Sequence, residues 1–234
     1  MTHHPKLYII SPPHIDDDAL FARHLTEIFE VGGDYVGAFQ LRLKEKGTAE
    51  ASNRLTDHAA SYERTSQMVD LLMPICHNAG IALILNDDAA LAHKLGVDGV
   101  HLGQEDGTVE QARALLGADK IIGATCHASR HLAMIAGEHG ADYVAFGAFY
   151  PTTSKTQRAL DHWGTPDTEL LSWWTHYTTV PCVAIGGITP ENAPPLLETG
   201  VDMIAVISSL WHHKDGATAG MRAFAQVLST YEVA

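Results

Sequence analysis

Eight short runs rich in Val, Ile and Leu recur along the chain, spaced so that a helix fits between each pair. This rhythm limits the available folds more than any other feature. The runs are LYIIS from Leu7, FQLRL from Phe39, ALILN from Ala82, GVHLG from Gly99, IIGATC from Ile121, YVAFGA from Tyr143, CVAIGG from Cys182 and MIAVISS from Met203. Each has the length of a strand, and near-continuous apolarity marks strands buried on both faces, as in a parallel sheet.

Between the runs lie stretches with helical spacing: Asp17 to Glu30, Ser66 to His77, Thr108 to Leu116, Arg130 to His139, Thr168 to Trp174, Pro190 to Glu198 and Ala217 to Leu228. Gly80, Gly96, Gly117, Gly140 and Gly200 each follow an amphipathic run, where a left-handed residue ends a helix. Eight strand–helix units predict a (β/α)8 TIM barrel, with a doubly wound open sheet as the other compatible arrangement. No Gly/Ser linker or low-complexity tract divides the chain, so residues 1–234 are expected to form a single domain. The connection from Glu45 to Arg64 is the longest and reads as an elongated helix or surface insertion.

Composition narrows the function classes. The chain has 234 residues, 46% of them hydrophobic, which suits one large globular domain. Fifteen Lys and Arg stand against 28 Asp and Glu, a formal charge of -13, without a basic run. Nucleic acid and anionic membranes are therefore not expected partners. Cys76, Cys126 and Cys182 are far apart and set in apolar segments, which reads as buried thiols in a reducing compartment. No apolar stretch approaches the roughly 20 residues of a bilayer span, so the expected location is cytoplasmic.

In a barrel, chemistry belongs at the carboxyl ends of the strands. In FQLRLK, Gln40, Arg42 and Lys44 alternate with Leu41 and Leu43, so a strand points all three polar groups to one face. That face is the barrel interior near its mouth, or a solvated face if the strand lies at an edge. Two inward cations need an anion, and phosphate or pyrophosphate is the commonest. The third run ends in Asn86, Asp87 and Asp88, and Asp106 follows the fourth. Carboxylates on one rim, completed by water and substrate phosphate, suit Mg2+, although aspartates also cap helices. After the sixth run come Thr152, Thr153, Ser154 and Lys155, donors for phosphoryl groups. The seventh and eighth runs end in IGGI and VISS, where barrels recurrently bind phosphate. Gly186 and Gly187 leave the backbone open to such an approach.

Taken in order, QLRLK, ND, GVHLGQED, PTTSK, AIGGI and AVIS resemble the thiamine-phosphate synthase family, over about Leu7 to Trp211. The resemblance implies a transferase that joins hydroxymethylpyrimidine diphosphate to thiazole phosphate and releases pyrophosphate, with Mg2+ as cofactor. It implies that Gln40, Leu41, Arg42, Leu43, Lys44 and Asn86 hold the pyrimidine diphosphate, with Lys155 on its pyrophosphate. It implies further that Asp87 and Asp106 bind Mg2+, and that Thr152, Thr153, Ser154, Gly187, Ile207 and Ser208 hold the thiazole phosphate. Arg42, Lys44 and Lys155 are then the catalytic cations.

Two positions depart from the family pattern: Thr125 stands where a serine is usual, and Asp88 where an arginine is usual. The connection after Lys44 is also longer than usual. Related thiazole tautomerases share the barrel, and a histidine near His127 would move protons there; a non-catalytic sensor of thiamine precursors is a further reading. Small phosphorylated substrates are the expected partners in every case, and a homo-oligomer is left open.

Overall fold

The computed structural model describes residues 4–44, 54–152 and 164–231, with side chains from residue 62 onward in the second of these segments. The strands are β1 (Lys6–Ile10), β2 (Val36–Leu41), β3 (Ala82–Asn86), β4 (Gly99–Leu102), β5 (Ile121–His127), β6 (Tyr143–Gly147), β7 (Cys182–Ile185) and β8 (Met203–Val206). They close into a barrel in sequence order, every neighbouring pair parallel, with β8 pairing back onto β1. The expected (β/α)8 architecture is the one observed, and the open sheet is excluded by the β1–β8 pairing.

The helices are α1 (Asp18–Gly32), α2 (Arg54–Asn78), α3 (Ala89–Leu95), α4 (Val109–Leu116), α5 (Arg130–Glu138), α6 (Thr168–Tyr177), α7 (Pro194–Leu197), α8 (Ser208–Trp211) and α9 (Ala217–Leu228). Their starts are set by side-chain caps. Asp17, Asp88, Ser129 and Asp167 each accept the backbone N–H three residues on, and Thr108 and Gln111 form a reciprocal capping box. Gly80, Gly96, Gly117, Gly140 and Gly200 all take positive φ, as expected of helix stops. The long connection after Lys44 contains α2 from Arg54 onward; its residues 45–53 lie outside the described residues.

Strand alternation builds two apolar layers. Leu7, Ile9, Phe39, Leu83, Val100, Ile122, Phe146 and Ile204 face outward and pack under the helices. Tyr8, Ile10, Ala38, Ile84, Tyr143, Ala145, Val183 and Ala205 fill the barrel interior. Gly123 belongs to the inner set for a steric reason, since a Cβ there would stand 1.9 Å from the Tyr143 ring. The glycine makes room for an aromatic residue that the neighbouring strand sends across the barrel axis. All three cysteines are buried in the outer layer, and burial pushes the thiols of Cys76 and Cys126 up to about 12.

At the amino-terminal end a repeated device sets strand register. The triplets Gly96-Val97-Asp98, Gly140-Ala141-Asp142 and Gly200-Val201-Asp202 each end a helical segment with a positive-φ glycine and open the next strand with an acid. The acid then reaches back to the preceding strand: Leu83 N donates to Asp98, Ile122 N to Asp142 and Cys182 N to Asp202, at 2.7–2.8 Å. A carboxylate accepting a backbone N–H is a strong, charge-assisted bond, so these clamps satisfy strand-end donors that lie beyond the ladder. Arg113 secures one of them, donating to Asp142 and to the carbonyls of Lys120 and Gly140.

Candidate active site

The carboxyl ends of the strands surround a cavity of about 560 Å³. Gln40, Arg42, Asn86, Asp87, Thr125, Thr152, Gly187, Ile207 and Ser208, all singled out in the sequence, line it. Leu41 is buried in the outer layer and Leu43 packs against that layer, so their side chains point away from the cavity. Lys44 is exposed at the rim beyond β2. Thr153, Ser154 and Lys155 lie outside the described residues.

Gln40 is 2% exposed, and among the described residues its Nε2 is the one buried side-chain nitrogen or oxygen with no hydrogen-bond partner. A buried amide donor left unpaired is costly, and this one sits in the cavity wall, where a ligand acceptor would satisfy it.

Asp87 adopts φ 70, a left-handed conformation uncommon outside glycine, while its N–H donates to His101 O at 2.8 Å. Strain of this kind gathers at functional sites because the surrounding structure has to enforce it. Burial, and then the charge and hydrogen bond of the neighbouring Asp106 carboxyl, push the Asp87 carboxyl up to about 6, against the opposing influence of Lys44 and Arg42. Asp106 is held in turn by Gly103 N at 2.9 Å, and a Cβ on Gly103 would stand 2.7 Å from its Oδ2. The pair supplies two carboxylates, and among the described residues no group of three or more His, Cys, Asp or Glu gathers around them, so a hard divalent cation held here would complete its shell with water and phosphate. Asp88 does something different: its Oδ1 accepts Leu91 N at 2.8 Å and caps α3.

Opposite, the glycine pair after β7 has a reason that the sequence reading did not supply. Gly186 and Gly187 take φ 111 and 63, and a Cβ on either would collide with the β6 loop, at Ala148 Cβ (2.4 Å) and Pro151 O (2.4 Å). The close approach requiring glycine is that of the neighbouring loop. Asn192 fastens both loops, donating to Gly187 O, accepting Thr189 N and receiving the Tyr150 hydroxyl on its carbonyl.

The floor of the cavity carries a chain of hydrogen bonds missed in the sequence. Tyr8 OH meets Tyr143 OH at 2.6 Å, Tyr143 OH meets His101 Nδ1 at 2.9 Å, and His101 Nε2 meets Thr125 Oγ1 at 2.8 Å. Burial raises both phenols well above their ordinary range, so both stay neutral. The detectable signal was period two: Tyr8, His101 and Tyr143 occupy inward positions in strands that are otherwise apolar but for Lys6 at the start of β1. His127, also at positive φ (52), does not line the cavity.

A closed parallel barrel with its cavity at the carboxyl rim, Arg42 and Asp87 on one side and a glycine loop on the other, has the arrangement of barrels that handle phosphorylated substrates. The chain belongs to one family of that class: residues 7–210 match the family described as thiamine monophosphate synthase. It is 45% identical over 223 residues to the thiamine-phosphate synthase of Rhodospirillum centenum, covering 95% of this chain and 97% of that protein. To the thiamine-phosphate synthase of Hyphomonas neptunium it is 46% identical, with 94% and 91% covered. Among solved structures, a thiamine phosphate pyrophosphorylase from Pyrococcus furiosus superposes with a TM-score of 0.72 at 28% identity, covering 96% of each chain. Among the described residues, no helix is long and apolar enough to cross a membrane.

Proposed function

We propose that this chain is a thiamine-phosphate synthase that couples hydroxymethylpyrimidine diphosphate to thiazole phosphate, giving thiamine phosphate and pyrophosphate. The observation that supports this reading most is that Arg42, Asn86 and Asp87 meet Gly187, Ile207 and Ser208 across one cavity. Two anion-binding edges with an uncharged space between them suit two phosphorylated substrates whose rings have to touch. The unpaired Gln40 amide and the Thr125 hydroxyl lie where a heteroaromatic ring would find hydrogen-bond partners.

Asp87 and Asp106 are the residues that would hold Mg2+, which when bound neutralises charge on the diphosphate. Arg42, Lys44 and Lys155 bind and orient the same group. The bond from the pyrimidine methylene carbon to the diphosphate oxygen breaks with both electrons leaving on oxygen. The electron-rich aminopyrimidine stabilises the carbon cation, and the lone pair of the thiazole nitrogen forms the new C–N bond. No side-chain nucleophile takes part, so the chain contributes positioning and fixed charge. The loops after β6, β7 and β8 hold the thiazole phosphate through Thr152, Thr153, Ser154, Gly187, Ile207 and Ser208.

Incubation with both substrates, with and without Mg2+, tests the reading. Thiamine phosphate and pyrophosphate in equal amounts, formed only with the metal, are expected; the absence of both products would overturn it.

A further inference from the structure

The cationic segment of β2 extends past the end of its own ladder. Pairing of β1 with β2 reaches Ile10 and Gln40, and β2 ends at Leu41, so Arg42 and Lys44 lie beyond the regular strand. β1 cannot continue beside them, because Ser11 is followed by Pro12 and Pro13, which have no N–H to donate. The main chain of the cations is nonetheless fixed from that side. Ser11 N donates to Gln40 O at 2.9 Å, the Ser11 hydroxyl accepts Arg42 N at 2.9 Å, and Pro13 O accepts Lys44 N at 2.8 Å. The serine side chain thus takes the place of the ladder carbonyl that a continuing strand would have offered.

Ser11 is 0% exposed and does not line the cavity, so any effect it has on ligands passes through the backbone it holds. Its surroundings are themselves fastened. Trp211 Nε1 donates to Ile10 O at 2.7 Å from α8, and Arg64 donates to Ile15 O and to the Asp18 carboxylate from α2. A small error in the Arg42 backbone becomes a larger one at its guanidinium, several bonds away, where two parallel hydrogen bonds to an anion demand orientation.

We infer that Ser11 is a positioning residue for the diphosphate end of the site, setting Arg42 through its main chain without touching substrate. The inference rests on the proposed function, because it assigns Arg42 to the diphosphate.

Binding of inorganic pyrophosphate in the presence of Mg2+, measured by calorimetry, separates the two ideas, and steady-state KM values for both substrates add specificity. Ser11→Ala should weaken pyrophosphate and raise the KM for the pyrimidine diphosphate about tenfold, with the KM for thiazole phosphate within about twofold of the parent. Ser11→Thr, which restores the hydroxyl, should recover most of the loss. Ser11→Cys, similar in size but a weak acceptor, should resemble Ser11→Ala and serves in its place if the alanine variant does not fold. Unchanged pyrophosphate binding in the alanine or cysteine variant would overturn the inference, as would a parallel rise in both KM values or an equal loss in Ser11→Thr. Failure of the parent protein to bind pyrophosphate would overturn the functional reading beneath it.

Discussion

Asp87, directly after β3, and Asp106, in the turn after β4, are neighbouring carboxyls, and burial together with this neighbour pushes the Asp87 carboxyl up to about 6. A carboxyl whose folded pKa lies above its unfolded value disfavours folding once it ionises. The metal-free protein should therefore lose stability as pH rises from about 4 to about 6 and show no further change from this group above that. Mg2+ binding requires the ionised pair, so affinity should fall about tenfold per pH unit below 6. Thermal denaturation across pH 4 to 8 and Mg2+ titration across pH 5 to 8 check the two slopes; a flat Mg2+ affinity would show that this pair does not hold the metal.

The adjacent acids should separate cleanly. Asp87→Asn removes a carboxylate from the proposed metal cradle, and activity should collapse at every Mg2+ concentration tried. Asp88→Asn keeps an oxygen for Leu91 N and should cost only a few tenths of a kcal/mol, whereas Asp88→Ala should cost about 1 kcal/mol through the lost cap, with turnover preserved. Initial rates against Mg2+ in the three variants decide the assignment.

Arg42→Ala and Lys155→Ala should each lower kcat/KM by at least about tenfold, since each removes a cation from the proposed grip on the diphosphate. Parent-like turnover in both would remove the cationic grip from the mechanism.

Tyr143→Phe keeps the ring that fills the space over Gly123 but takes away a hydroxyl joined to both Tyr8 and His101. Losing the two hydrogen bonds of this buried hydroxyl should cost about 1–3 kcal/mol of stability. Gly123→Ala forces a methyl into that ring and should cost a similar amount by overpacking, with the Thr125 end of the chain displaced. Denaturant melts of the two variants, compared with the parent, supply the check.

At the opposite end of the barrel, Asp142→Ala should behave as a stability variant. It strips the acceptor from Ile122 N and from Arg113, a loss of about 1–3 kcal/mol, while kcat stays at the parent value at temperatures where the fold persists.

How much of this was readable in the chain differs by residue. The barrel was legible because its strands are short apolar runs punctuated by Gly96, Gly117, Gly140 and Gly200, whose left-handed conformation is a local property. Gln40, Arg42 and Asp87 were legible because polar residues at strand ends break the apolar pattern. Tyr8, His101 and Tyr143 were not, because the bonds between them cross from β1 to β6 and from β6 to β4, and a sequence shows alternation without showing who stands opposite. Gly187 was legible as a glycine, but its reason lay in Pro151 on another loop. Ser11 carried no local signal, since a serine before two prolines reads as a turn.

The carboxylate clamps also divide the barrel into unequal seams. Asp98, Asp142 and Asp202 fasten β4 to β3, β6 to β5 and β8 to β7. In the triplet before β2, Gly32-Gly33-Asp34, the acid lies instead in a 3-10 turn, and that seam is held at its other end by Ser11 and Pro13. The amides of Leu83, Ile122 and Cys182, each held by a carboxylate from the following strand, should accordingly be among the slowest in the barrel to exchange with solvent.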